Sequence, residues 1–251
     1  MGERGAVTEA LADLAGEELD DQSVGERLCQ ACVEGLDVDG AALSLLTAMA
    51  ARETLWATDS VAQRLEDLQF SLNEGACIEA ATTGAPVLVP DLFHTTETAR
   101  WPVFAAAVAE QTPVAALFAL PLQWGAATIG VLDLYRCTPG ELSRAGWRDA
   151  LAAADTAALL LLGRRTRPPP APDGPPSSSP DGGRDGDGWG PGVFSRPEVH
   201  QATGMVMAQL GISSEEALAR LRAHAFAEQR LLVDVAGDVV ARRFRFTEEM
   251  R

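Results

Sequence analysis

The chain has 251 residues, of which 47% are hydrophobic, and a formal net charge of −16. This length suits one large domain or two smaller ones, and the apolar content is ample for a packed core. All 20 basic residues are arginines, and residues 196–251 hold eight of them against eight acidic residues, so the negative charge lies in the preceding part. Because an acidic surface repels nucleic acid, any contact with RNA must come from the neutral C-terminal part.

The sequence also argues against secretion and against a membrane location. Its first residues mix acidic with short apolar side chains, unlike the basic start and apolar run of a signal peptide. No stretch approaches the ~20 apolar residues of a membrane span. Four scattered cysteines are few for a secreted scaffold. We therefore expect a cytoplasmic protein with no membrane partner.

The N-terminal part begins with a helical pattern followed by two strands. Residues 4–36 place apolar side chains at helical spacing, with one break at 19–23. The apolar run at 40–48 predicts a buried strand, and 54–58 predicts its partner. A further helix with a charged outer face is expected from Val61 onward.

Two cysteines of the first helical pattern form a CxxC. A zinc site would need two more ligands at suitable spacing, and the other cysteines, Cys77 and Cys137, are isolated. We therefore interpret Cys29 and Cys32 as small buried side chains, and we expect no metal site.

A glycine-bounded segment follows. Gly75 is predicted to open a short helix, Gly84 to close it, and an apolar strand then runs to Asp91. We interpret Asp91 as a turn or helix-cap residue. His94, the one histidine of this part, is expected in an exposed loop.

Two apolar strands at 114–122 and 128–135, joined as a hairpin, and a long helix at 143–163 complete the pattern. That helix has more apolar surface than one sheet face needs. Its apolar residues are Leu151, Ala154, Ala158, Leu159, Leu161 and Leu162. One interpretation is packing on the domain's own sheet. We favour additional pairing with a second subunit, which predicts a homodimer.

Several blocks in this part resemble the GAF domain. They are residues 70–80, residues 84–92, and Arg100-Trp101-Pro102 with Phe104 just beyond. The order of helices and strands over about 25–160 is also similar to that family. The resemblance implies an α+β fold over residues 1–165, with an antiparallel sheet and flanking helices, and a role in sensing.

A ligand pocket is expected between the sheet and residues 75–112. The candidate lining residues are Trp56, Cys77, Phe93, Trp101, Phe104 and Phe118. Aromatic residues at such positions fill a core more often than they hold a ligand. No motif selects a ligand, so its identity stays open and no cofactor is predicted.

Cys77 is the single residue of this set with reactive potential, because a thiol near a helix start can have a lowered pKa. Some GAF proteins reduce methionine sulfoxide with cysteines, but that chemistry needs a placed resolving partner, and none is evident. No Ser/His/Asp set, phosphate-binding glycine loop or catalytic carboxylate pair can be assembled either. We therefore expect no catalytic residue and no enzyme.

Residues 166–192 contain eight prolines and seven glycines in 27 positions. Such a composition cannot bury a core and predicts a disordered linker. Rigid mechanical coupling through this segment alone is therefore not expected. Control of the C-terminal part would work by docking and release, or by oligomeric state.

The C-terminal part predicts three short helices. The first spans 197–210 with Ser195 as its cap and Gly211 as its end, and Ser213 with Glu216 forms a capping box for the second. The three apolar stripes are Val199, Ala202, Val206 and Leu210; Ala217, Leu218, Leu221 and Ala225; and Leu232, Val235, Ala236, Val239 and Val240. Because these stripes can be buried only against each other, 193–251 is predicted to form a small all-α domain.

Three blocks of this part resemble the ANTAR domain, an RNA-binding module of bacterial antitermination regulators. They are residues 201–207, residues 216–222 and Val235-Ala236. Many relatives carry lysine where Thr203 stands. The resemblance implies binding to paired hairpins of structured RNA in nascent transcripts. The RNA-binding candidates are Arg196, His200, Ala202, Thr203, Gly204, Met207, Arg222 and Arg230.

The sequence thus predicts a cytoplasmic, signal-responsive regulator that promotes transcription antitermination, as a homodimer. Since it shows no receiver domain, a phosphorylation signal would come from an upstream signalling protein. Two alternatives stay open. The three helices also suit a DNA-binding regulator, although none carries a basic base-reading face. The chain also suits a small-molecule or redox sensor that uses the C-terminal part as an interaction module.

Overall fold

The computed structural model describes residues 7, 10, 20–46, 52–165 and 196–247. Four predictions fall wholly or mostly outside this set: the helical pattern before residue 20, the linker at 166–192, the cap Ser195 and the last four residues. The described residues form an N-terminal domain and a C-terminal bundle.

The N-terminal domain has the predicted order of elements and the predicted antiparallel sheet with flanking helices. Its elements are α1 (Asp21–Gly35), β1 (Gly40–Leu46), β2 (Arg52–Ala57), α2 (Ser60–Leu72), α3 (Ala76–Thr83), β3 (Val87–Val89), α4 (Thr95–Arg100), α5 (Pro102–Gln111), β4 (Ala116–Trp124), β5 (Ala127–Arg136) and α6 (Arg144–Arg165). The sheet order is β2-β1-β5-β4-β3, and every neighbouring pair is antiparallel.

The sheet separates two apolar cores. Because side chains alternate across a strand, Leu43 and Leu132 face α1 and α6, whereas Ala42 faces α2, α3 and α5. Ala42 pairs with Asp133 of the central strand β5, so this carboxylate lies on the same face of the sheet as α2 and α3. The polar side chain of Asp133 therefore points into the core that these helices cover.

Side-chain caps fix the helices that cover this face. Asp59 accepts hydrogen bonds from the amides of Val61 and Ala62 at 2.7 and 2.9 Å, which starts α2. The start of α3 is capped from another element, since the amide of Cys77 donates to Gln69 Oε1 at 2.9 Å. Gly75 is required there, because its φ is +119° and a Cβ would lie 2.6 Å from that oxygen.

Helix α6 packs on the sheet and α1 with most of its apolar stripe. Ala154, Ala158 and Leu161 are buried in the core of their own domain, whereas Leu159 is 60% exposed. The packing interpretation therefore accounts for most of the stripe, and the surface available for pairing with a second subunit is narrower than the sequence indicated.

The C-terminal bundle consists of α7 (Pro197–Leu210), α8 (Ser214–Ala227) and α9 (Leu232–Val240), at the predicted positions. Gly211 ends α7 with a left-handed φ of 66°. The predicted capping box is only half formed: Ser213 Oγ accepts from the amide of Glu216 at 3.2 Å, but the Glu216 carboxylate pairs with Arg220 at 3.0 Å.

The three predicted stripes form one core, which the chain after α9 covers. Val206, Leu221 and Val239 are fully buried in it. Phe246 joins this core, and Phe244 stacks on His224 with 4.1 Å between ring centroids. These aromatic side chains close the bundle, a role that the sequence analysis did not assign to them.

Candidate functional site

The six predicted pocket residues do not line one pocket. Phe118 and Trp56 pack on the α1–α6 face of the sheet, and Phe93 is largely exposed. Cys77, Trp101 and Phe104 do share the opposite face, but as close-packed core, where the two aromatic rings meet edge to face at 6.5 Å. The structure therefore does not bring the six residues together, because Trp56 and Phe118 extend from their strands to the face opposite the other buried members.

Two cavities among the described residues lie next to the sheet of the N-terminal domain. One, of about 10 Å³, lies between the sheet and α2 beside Glu66, Gln69 and Asp133. The other, of about 520 Å³, opens on the α6 face of the sheet. Its lining residues are Leu88, Pro90, Phe118, Glu141, Leu142, Arg144 and Trp147. Only the second has the volume of an organic-ligand pocket, and Phe118 is its one lining residue among the predicted six.

A buried polar cluster occupies the core between the sheet, α2 and α3. Its members come from five elements and are Ser44, Arg52, Thr54, Glu66, Gln69, Cys77 and Asp133. Arg52 and Glu66 have side chains only 4% and 0% exposed. A charged pair at such depth loses several kcal/mol of hydration per ion and needs compensating partners.

That compensation is incomplete. Arg52 Nη2 lies 3.6 Å from Glu66 Oε2, and Thr54 donates to the same oxygen at 3.3 Å. All three guanidinium nitrogens of Arg52 are nevertheless buried without a hydrogen-bond partner, as is Asp133 Oδ2. Buried polar atoms in folded proteins are nearly always paired, so these four atoms are exceptions among the described residues.

The fold raises the pKa of two acids of the buried polar cluster. Burial raises the pKa of Asp133 well above its ordinary value, and the neighbouring Glu66 raises it further. Burial likewise raises the pKa of the Cys77 thiol, against the opposing effect of Arg52. Cys77 is therefore a neutral thiol in this environment, and its place at the start of α3 does not make it a reactive thiolate.

The C-terminal bundle is docked on α2 and β2, next to the buried polar cluster. Arg196 is 6% exposed, and its Nη2 donates to Asp67 Oδ1 at 2.7 Å and to Thr54 Oγ1 at 3.3 Å. Its guanidinium also lies 4.5 Å from the ring centre of Phe70. One predicted RNA-binding side chain is thus held inside the protein.

Two further RNA-binding candidates meet the same surface. His200 Nε2 lies 2.8 Å from Glu53 Oε1, a hydrogen bond that lowers the pKa of Glu53. Arg222 Nε donates to the Phe70 carbonyl at 3.2 Å, so this side chain does not point outward. The ring of Phe70 itself belongs to the core of the C-terminal bundle.

The other RNA-binding candidates lie in three different environments. Ala202 is fully buried, and Thr203 is 6% exposed with its hydroxyl bonded to the Val199 carbonyl, so neither presents a side chain to solvent. Met207 packs partly on the core. Gly204 is exposed, and a Cβ added there would meet nothing within 4 Å. Arg230 reaches Asp238 at 2.8 Å and is 40% exposed.

The remaining single-residue predictions have simple structural outcomes. Asp91 accepts from the amide of Phe93 at 3.0 Å, which is the predicted turn role. His94 caps α4 through Nδ1, 3.4 Å from the amide of Thr96. Cys29 and Cys32 are fully buried, as predicted.

Two family models match the sequence. The GAF model matches residues 22–182, and the ANTAR model matches residues 193–240. The chain belongs to the GAF family and carries a C-terminal ANTAR domain. GAF domains act as sensors and ANTAR domains as RNA-binding regulators, so the docked surface joins a sensor to a regulatory domain. The GAF match extends past the boundary predicted at residue 165.

Solved structures show the same fold for the first of these domains. The GAF domain of an Acinetobacter phosphoenolpyruvate-protein phosphotransferase superposes with a TM-score of 0.50 at 10% identity, over 64% of this chain and 92% of that one. The corresponding domain from Coxiella burnetii superposes with a TM-score of 0.50 at 10% identity, over 63% of this chain and 92% of that one. No curated protein sequence matches this chain. Among the described residues, no helix has the length and apolar character needed to span a bilayer.

Proposed function

We propose that this protein is a cytoplasmic, signal-responsive regulator that binds structured RNA in nascent transcripts and promotes antitermination. The observation that carries the proposal is the ANTAR match at 193–240, which coincides with an intact three-helix bundle. The bundle would stabilise paired RNA hairpins that compete with a terminator. Its equal numbers of basic and acidic residues favour contacts to loop bases over many phosphate contacts.

Docking gives the N-terminal domain a means of control. Arg196, His200 and Arg222 all contact the N-terminal domain in this structure. If they bind RNA, the bundle must first leave α2 and β2. The signal would then act on the equilibrium between docked and free bundle, with input from a ligand of the N-terminal domain or from an upstream signalling protein.

A second copy of the chain is the other expected partner. Two bundles held together would engage two hairpins, and the second contact would gain from a high effective concentration. The exposed Leu159 on α6 supports pairing through this helix. Light scattering of the full chain should give twice the monomer mass, and Leu159→Glu should return it to the monomer mass. A monomer at all micromolar concentrations would contradict the dimer.

Gel-shift titrations of the full chain test RNA binding. The probes are a two-hairpin RNA, a one-hairpin RNA and a DNA duplex of equal length. We expect the two-hairpin RNA to bind most tightly. Its affinity should fall gently with salt, with a log–log slope of roughly −1 to −3, because a neutral bundle neutralises few phosphates. The series is repeated with Asp67→Asn, which frees Arg196, so that docking is not mistaken for absence of binding.

A matched pair of arginines separates RNA contact from fold. Arg230 and Arg243 both pair with Asp238, at 2.8 and 2.6 Å, and only Arg230 is a predicted RNA contact. Arg230→Ala should weaken RNA binding by about tenfold, the loss of one charged hydrogen bond, whereas Arg243→Ala should change it little. Equal affinity for duplex DNA and hairpin RNA would favour the DNA-binding alternative instead.

A further inference from the structure

The buried polar cluster of the N-terminal domain has the composition of a metal site. Its three potential ligand atoms, from Glu66, Cys77 and Asp133, lie within 4.8 Å of one another. A four-coordinate transition-metal ion binds such atoms at about 2.0–2.3 Å, which places two ligand atoms about 3.3–3.8 Å apart. The ligand atoms would therefore have to approach one another by up to about 1.5 Å to hold one ion.

We propose that Glu66, Cys77 and Asp133 bind a divalent transition-metal ion, and that Arg52 donates to a water or small anion completing its coordination. Mixed sulfur and oxygen ligands suit ions such as Zn²⁺ or Fe²⁺ better than Mg²⁺ or Ca²⁺, which take oxygen ligands alone. Three protein ligands with one further position is the pattern of an open metal site.

The unpaired atoms around the cluster support this assignment. Asp133 Oδ2 is buried without a donor, and a metal ion would provide its missing partner. Arg52 is 5% exposed, with three nitrogens that lack an acceptor. An oxygen bound to the ion would accept from one or two of these nitrogens, because the N–H groups of a guanidinium point in different directions. The ion and its bound oxygen would therefore pair Asp133 Oδ2 and part of Arg52, which an added apolar group would not do.

The space beside the cluster is too small for an organic ligand. The cavity that Glu66 and Asp133 help to line is about 10 Å³, enough for one water-sized occupant, and Cys77 and Arg52 lie outside its lining. A nucleotide or chromophore needs at least about 300 Å³. The larger cavity of about 520 Å³ lies on the other face of the sheet and has no contact with these ligands.

Cobalt titration of the full chain tests the proposal. The protein is first stripped with a chelator, and Co²⁺ then serves as a spectroscopic probe. We expect saturation at one equivalent, with a thiolate-to-cobalt charge-transfer band. Zn²⁺ should displace Co²⁺ and abolish the band. Failure of RNA binding would leave this readout untouched, since it reports the ion directly.

Matched variants assign the ligands. Cys77→Ser should abolish the charge-transfer band, whereas Cys32→Ser, which alters another buried thiol on the opposite side of the sheet, should leave it intact. Asp133→Asn should keep the band and weaken binding by at least about tenfold, which provides a second measurement if Cys77→Ser does not fold. The proposed site would be overturned if the charge-transfer band persisted in folded Cys77→Ser protein. It would also be overturned if the parent chain showed no saturable binding of Co²⁺.

Discussion

Asp133 is the residue whose ionisation the fold opposes most directly. Burial and the Glu66 carboxylate raise its pKa on folding. Its contribution to stability is therefore complete below the ordinary aspartate pKa of about 3.9 and is lost as the pH rises toward the folded value. An asparagine side chain at position 133 is neutral at every pH. In metal-free buffer, the free energy of unfolding of Asp133→Asn should therefore decline less with rising pH, and at pH 7 this variant should be at least as stable as the parent.

Urea unfolding between pH 5 and pH 8 measures this effect. Asp91→Asn provides the matched control, because Asp91 forms an exposed turn and its amide analogue can still accept the bond from Phe93. That control should keep the slope of the parent chain. The interpretation would be contradicted if the free energy of unfolding of the parent did not fall as the pH rises. It would also be contradicted if the Asp133→Asn protein showed the same slope of this free energy against pH as the parent.

The sequence located Cys77 but not the cluster around it. Glu66 and Asp133 each occupy an ordinary polar position of an amphipathic pattern, and Glu66 lies in the helix for which the sequence predicts a charged outer face. It is fully buried because α2 is covered by the sheet on one side and by the C-terminal bundle on the other. Ligands from distant segments meet only through tertiary packing, which local periodicity does not report.

At the scale of elements, Phe70 is where α2 joins the C-terminal bundle. Its ring belongs to the core of the bundle and contacts the guanidinium groups of Arg196 and Arg222, at 4.5 and 5.3 Å. Truncating a buried phenylalanine costs about 3–5 kcal/mol in a closed core. If the bundle detaches as proposed, Phe70→Ala should cost no more than the docking free energy, while both domains stay folded.

Hydrogen exchange of the full chain checks this expectation. Amides at the docked surface, including that of Leu232, which donates to Ser71 Oγ at 3.2 Å, should lose protection in Phe70→Ala. The interior of the sheet should keep its protection. Phe93→Ala removes an exposed ring and should change neither region. Global loss of protection in Phe70→Ala would show that the two parts fold as one unit.

Element bounds were predictable wherever a local signal marks them. Gly84 and Gly211 both end helices in the left-handed conformation, and α7 begins at the predicted proline. The hairpin strands approach each other more closely along the chain than the predicted 114–122 and 128–135, since β4 ends at Trp124, β5 begins at Ala127 and the turn lies at Gly125 and Ala126. Docking of the bundle on α2 was not predictable, because it depends on surfaces that neither helix pattern marks as apolar.

At the scale of the whole molecule, the proposed function implies that the acidic N-terminal domain competes with RNA for polar side chains of the bundle. Asp67 and Glu53 hold Arg196 and His200 where phosphate oxygens would contact them in the proposed complex. A partly buried charged hydrogen bond contributes about 1.5–3 kcal/mol. Removing the carboxylate partner of one such hydrogen bond should shift the equilibrium toward the free bundle, and it alters no residue that is proposed to contact RNA.

Asp67→Asn and Glu53→Gln should therefore raise the apparent affinity for two-hairpin RNA, by about tenfold for Asp67→Asn, whose partner is the more buried. Glu34→Gln removes the same charge from an exposed position on α1 and controls for the general electrostatic effect. Gel shifts at one salt concentration compare the three proteins.

Combining either variant with Phe70→Ala should raise the apparent affinity for RNA little further, since a bundle that is already free gains nothing from a further lost contact. Affinities that rise equally in all three would assign the effect to net charge, and unchanged affinities would show that docking does not limit RNA binding.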